Sequence, residues 1–118
     1  MAQSIRQDFP TDGSEFIQGA TIKDIGISIL INGSAPASPV VAAAIALKEY
    51  DTVVHRYDSA NGSITIAPAG DSITIVSHIL DIPGKDYKYD LRLEFDDGTV
   101  TRWMWGIWRL RENVTPAI

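Results

Sequence analysis

The sequence predicts an all-β fold, and three observations carry that reading. Residues 87–95 alternate without a break: Tyr87, Tyr89, Leu91, Leu93 and Phe95 share one side, while Lys88, Asp90, Arg92 and Glu94 share the other. A period of two puts these sets on opposite faces of an extended strand, whereas a helix would scatter them around its circumference. Directly behind this run stands Asp97-Gly98, a hairpin signal because the pair tolerates the positive φ angles of a tight turn. Turn chemistry also recurs along the chain, at Asn32-Gly33, Asn61-Gly62, Gly70-Asp71 and Pro83-Gly84. That spacing suits a sandwich or small barrel of about seven to eight short strands.

Composition sets the outer limits. A chain of 118 residues, 45% apolar and 21% charged, falls within the range of one domain with one core, so disorder is not expected. With no cysteine, it uses neither disulfides nor thiolate metal sites, which fits assembly in a reducing compartment. The net charge of −5 argues against a general nucleic-acid binder, which needs a basic face to neutralise phosphates. Residues 1–8 place no apolar run behind their positive charge, so no secretory signal is expected there. Residues 40–47 form the longest mostly apolar stretch, too short to span a bilayer as a helix. No membrane partner is expected.

Taken in order, residues 1–13 are polar, with Pro10 and Asp12-Gly13, and read as an extended N-terminal arm outside the core. The domain proper is expected over residues 14–118. Residues 14–17 and 21–31 follow, separated by Gly19; Ile25, Ile27, Ile29 and Ile31 line one face of the second segment. After a loop at 34–39 containing two prolines, residues 40–50 are ambiguous. Ala42, Ala43, Ala44, Ala46 and Leu47 are good helix formers, and Pro39 suits a first helical position. The neighbours on both sides read as strands, so this piece is taken as a strand too. Residues 52–57, 63–67 and 72–79 are further strands, residues 99–105 return from the hairpin, Gly106 interrupts, and 107–114 close the chain.

A search for chemistry finds little. His55 and His78 lie far apart on predicted strands and belong to no metal-binding spacing, so both read as surface or edge residues. Asp96-Asp97 reads as a turn and not as a calcium loop. No nucleophile elbow and no phosphate-cradling glycine loop is present in the sequence. No catalytic residue, metal ligand or cofactor is therefore assigned, and the expectation is a protein that is not an enzyme.

The unusual feature is aromatic, because Trp103, Trp105 and Trp108 crowd into six residues with Met104. A two-residue turn at Asp97-Gly98 would set Asp96 against Thr99, Phe95 against Val100, Leu93 against Arg102 and Leu91 against Met104. Phe95, Val100, Leu91 and Met104 would then face inward. Trp103 and Trp105 would stand outside beside Arg92 and Glu94, an exposed patch of the kind that marks a protein interface. The same register points Arg102 inward. A one-residue bulge would swap the faces and bury both tryptophans, and both arrangements stay open. Trp108 and Leu110 read as core.

The run Ile82-Pro83-Gly84, Tyr87-Lys88-Tyr89-Asp90-Leu91, Asp97-Gly98-Thr99-Val100, Gly106-Ile107-Trp108-Arg109-Leu110 and Val114-Thr115 resembles a tailed-bacteriophage module. It is similar to the N-terminal domain of phage baseplate upper proteins and to small virion proteins built the same way. Upstream, Gln18-Gly19-Ala20-Thr21 is similar to the family's Gly-Asp-Thr start, with Ala20 in place of the acidic residue, and Asn61-Gly62-Ser63-Ile64 to its middle turn. The likeness covers residues 16–115 and departs most at 36–47. It implies an immunoglobulin-like antiparallel β-sandwich serving as a subunit of a virion, in the tail, baseplate, neck or head surface, assembled in many copies in the host cytoplasm. Its expected partners are other phage structural proteins and copies of itself, met through the Trp103–Trp105 face and the N-terminal arm. The alternative is a carbohydrate-binding module of a receptor-binding device, since sugar C–H faces stack on aromatic rings.

Overall fold

The computed structural model describes residues 5–11, 15–31 and 33–112. The protein is all-β, with mixed and antiparallel sheets. Strands β1 (Ile5–Arg6), β2 (Phe16–Ile17), β3 (Thr21–Ile22) and β4 (Ile25–Ser28) come first. They are followed by β5 (Val40–Glu49), β6 (Thr52–Asp58), β7 (Ile64–Ile66), β8 (Ser72–Ile75), β9 (His78–Ile79), β10 (Asp86–Phe95) and β11 (Val100–Arg111). The large sheet runs β1-β11-β10-β5-β6, with β2 also on β11; the small sheet runs β4-β8-β7, and β3 pairs β9. One cluster of buried side chains draws on both sheets, from Ile27, Ile64, Ile73 and Ile75 of the small one to Ile45, Leu47, Leu91 and Leu93 of the large one. The terminal Val114-Thr115 and the turn residues Asp12, Gly13 and Asn32 lie outside the described residues.

The ambiguous alanine segment is a central strand. In β5, Val40, Ala43, Ile45 and Leu47 are buried, and the strand is paired on both sides, to β10 and to β6. An isolated three-turn helix would satisfy its own backbone but forfeit both ladders. Here tertiary pairing overrides the helix propensity of alanine.

The hairpin departs from the two-residue turn. Phe95 N donates to Thr99 O at 2.9 Å and Gly98 N to Phe95 O at 2.9 Å, so three residues, Asp96 to Gly98, form the loop. Gly98 adopts φ 88°, the left-handed residue that closes such loops. The Asp97 carboxylate accepts the Thr99 amide at 2.9 Å. The longer loop slides the ladder, so Glu94 faces Val100, Leu93 faces Thr101 and Arg92 faces Arg102. A bulge then leaves Trp103 without a partner on β10 and restores Leu91 opposite Met104. Arg102 accordingly points outward, Val100 is 60% exposed, and Thr101 and Trp103 take the inward places.

The N-terminal segment is the second correction. Residues 5–11 do not stand off the core: β1 lies parallel to β11, with Ile5 opposite Met104 and Arg6 opposite Trp105. Gln7 N donates to Trp105 O, Phe9 N to Ile107 O and Arg109 N to Phe9 O, each at 2.9 Å. Phe9 is only 4% exposed. Two parallel partners on β11 make the large sheet mixed where an antiparallel one was expected. Gly106 explains the close approach: a Cβ there would sit 2.5 Å from Gln7 O and 2.8 Å from Asp8 Oδ1. It does not interrupt β11, which runs through it.

At the centre stands Trp108, fully buried. The rings of Phe9, Phe16, Tyr57 and Tyr89 lie 5.4, 5.0, 5.6 and 6.2 Å from it, centroid to centroid. The Tyr89 hydroxyl donates to Gln7 O, which ties the N-terminal segment to this cluster. Trp108 and Leu110 are core, as their alternation with Arg109 and Arg111 predicts.

Candidate interaction face

The outer face of the large sheet follows from the registers, because residues opposite one another across a ladder share a side. One row reads Arg6, Trp105, Asp90, Ala46 and Arg56. The next reads Arg102, Arg92, Ala44 and Asp58. Beyond them Val100, Glu94 and Ala42 continue toward the hairpin, and Ile107, Lys88 and Lys48 toward the other end.

Trp105 is half-buried, and two guanidiniums lie over its ring, Arg6 at 5.4 Å and Arg102 at 5.7 Å. Cation–π attraction of this kind is worth about 0.5–1 kcal/mol at an exposed site. The alanines of β5 are too short to fill the space between longer neighbours. They floor a shallow depression of about 300 Å³ bordered by Arg56, Asp58, Arg92 and Glu94. Arg56 Nε meets Asp58 Oδ2 at 3.0 Å, and Arg92 Nε approaches Asp90 Oδ2 at 3.9 Å. Asp58 is held below the usual carboxylate range, first by the Asn61 amide and then by Arg56. At the sheet edge Asp8 is lowered chiefly by the Ile107 amide at 3.0 Å, assisted by Arg6 and Arg109.

Of the four residues expected to form an interface, Trp105, Arg92 and Glu94 share this face; Arg92 and Glu94 are exposed. Trp103 does not join them. It is 2% exposed and packs against Phe95, because the three-residue loop and the bulge turn it inward. Arg6, Arg102 and Arg56 were missed. A signal for Arg102 was present, since an inward arginine opposite Leu93 is costly unless the register slips.

The fold also gathers residues that sequence spacing kept apart. His55 and His78 both pack edge-on against Tyr57, with ring centroids at 4.6 and 4.8 Å. The Tyr57 hydroxyl lies 2.6 Å from His78 Nε2, and His78 Nδ1 lies 2.8 Å from Val76 O. A carbonyl can only accept, so Nδ1 carries the proton and, in the neutral ring, Nε2 accepts from Tyr57. Burial, then the neighbouring His78, lowers the pKa of His55, and burial raises that of Tyr57. Both histidines are partly exposed residues of edge strands, β6 and β9, as expected, and Tyr57 brings them together.

No family model matches the chain, and no curated protein matches it.

Proposed function

We propose that this chain is a non-enzymatic structural or adaptor subunit of a tailed-bacteriophage particle. It is an immunoglobulin-like β-sandwich that joins neighbouring virion proteins in the tail, baseplate, neck or head surface. The observation that carries this reading is the outer face of the large sheet, where Trp105 stands between Arg6 and Arg102 and an alanine-floored depression lies on the same side. Tryptophan and arginine are among the residues most enriched at interface hot spots, and a sheet face suits a broad protein partner. The resemblance of the Pro83-Gly84 corner, the Tyr87–Leu91 strand and the Asp97-Gly98 hairpin to phage baseplate modules supplies the biological setting.

Co-expression with the products of the genes flanking its own, followed by affinity purification, tests the reading. A stable complex that Trp105→Ala weakens is the expected result. A chain that enters no particle and binds none of those products overturns it. Saturable glycan binding lost in Trp105→Ala would instead favour a carbohydrate-binding module; the guanidiniums over the Trp105 ring compete with such stacking.

A further inference from the structure

The charges of this protein are sorted by face. Eight of its ten lysines and arginines lie on or beside the outer face of the large sheet, with six of its fifteen carboxylates, counting Asp8 and Glu15, which pair with Arg109 and Arg111. The remainder of the chain carries nine carboxylates and two lysines. The net charge of −5 thus conceals a basic face on an acidic body.

This arrangement sets like charges against one another across the ladders. Arg92 stands directly opposite Arg102, and Lys48 directly opposite Lys88. Like charges facing one another across a ladder destabilise a sheet. A counter-charge supplied from outside would offset that repulsion.

A surface able to supply it exists on the same molecule. Asp96 N donates to Pro39 O at 2.9 Å and Val40 N to Gly70 O at 3.0 Å, which gathers the β10–β11 hairpin, the 34–39 loop and the β7–β8 turn at one end. Asp71, Asp96 and Asp97 sit there, and residues 27–42, 66–75 and 94–101 contain no lysine or arginine. The Asp97 carboxylate is lowered by the Thr99 amide and stays charged. Exposed Leu30 and Val41, 45% and 47% accessible, supply apolar area beside these acids, as Trp105 and the alanines do on the basic face.

We propose that the outer face of the large sheet docks a second copy of this chain through that copy's acidic end, with Arg92 and Arg102 meeting Asp71 and Asp96. The two surfaces differ, so the contact is heterologous. Each docked pair keeps one free face and one free end, so the assembly grows into a ring or a filament. The proposal deepens the reading of the chain as an assembly subunit and rests on it.

Sedimentation velocity on the full chain tests it with two charge-reversed variants, Arg92→Glu/Arg102→Glu on the face and Asp71→Lys/Asp96→Lys at the end. The wild type is expected to form larger species with rising concentration near 0.1 M salt. It should return toward monomer near 1 M, as the Debye length falls from about 10 to about 3 Å. Each variant alone stays monomeric, its association weakened about tenfold or more. An equal mixture assembles again by alternating the two variants, because the intact face meets the intact end and the two reversed surfaces are once more of opposite charge.

A wild type that is monomeric throughout, a variant that assembles like the wild type, or a mixture that stays monomeric overturns the proposal. Arg92→Gln/Arg102→Gln guards against misfolding: it introduces no new charge, keeps the wild-type circular dichroism and a cooperative melt, and still loses assembly. A chain monomeric alone but incorporated into particles sinks only the self-docking. One that assembles alone but binds no virion protein sinks the function proposed above.

Discussion

Trp105 and Trp108 stand three residues apart on β11, and the sheet sends them to opposite sides. Trp108 is enclosed by four aromatic rings and has no exposure. Trp105 lies half-buried under two guanidiniums, in a row with Asp90, Ala46 and Arg56. One side of the ribbon carries the apolar burial that holds the fold together, and the other is free to carry charge. Strand periodicity separates the two tasks at the level of single residues.

The largest expected effect breaks the inner side. Trp108→Ala should cost about 3–5 kcal/mol, the range for a fully buried aromatic, enough to unfold much of the population of a marginally stable domain. Trp105→Ala should cost about 1–2 kcal/mol by urea titration, since a half-buried ring loses two cation–π contacts and only part of its apolar cover. Equal losses at the two sites would abolish the contrast drawn here.

Phe9→Ala probes whether the N-terminal segment belongs to the inner side. Phe9 packs 5.4 Å from both Tyr89 and Trp108, so a loss of about 3 kcal/mol is expected in the same titration. A loss below about 0.5 kcal/mol, usual for surface positions, would return residues 5–11 to the status of a loose arm.

Tyr57→Phe removes the hydroxyl at 2.6 Å from His78 Nε2 and leaves that nitrogen unpaired. About 1 kcal/mol is the expected cost. A melting temperature unchanged from the wild type would show that water replaces the bond.

The smallest effect is a pH dependence. Burial holds the folded-state pKa of His55 below its ordinary value, so the unfolded chain takes up the proton more readily. Stability is therefore complete above about pH 6.5 and declines as pH falls from there through the folded pKa. Urea midpoints at about pH 7.5 and about pH 5.5 measure it. In His55→Gln the gap between them should narrow, and an unchanged gap would assign the effect to another group.

Much of the large sheet was readable before any coordinates. The uninterrupted alternation of residues 87–95 places their faces correctly, and the pairing of Leu91 with Met104 is as expected. The strand assignment of the alanine segment also holds. Trp103 was harder to place, because its side depends on whether the hairpin loop has two residues or three. Asp97-Gly98 serves either, with Gly98 at its left-handed position. The parallel docking of residues 5–9 leaves little local trace either, since its partner strand begins nearly a hundred residues later and Ile5 and Phe9 alone among them are apolar. His55 and His78 meet through Tyr57 across the fold, which no spacing along the chain expresses.

Alternation and turn chemistry are properties of a few consecutive residues, and they suffice to specify an all-β chain, the identity of its long strands and the burial of Trp108 and Leu110. The phase of a strand after a bulge, the partner of a terminal segment and the gathering of charge on one face are sums over distant pairings. A one-residue shift reverses every side chain beyond it, so the side on which Trp103 lies was settled by how β10 and β11 closed around Gly98, with the cost of an inward Arg102 as the hint within β11.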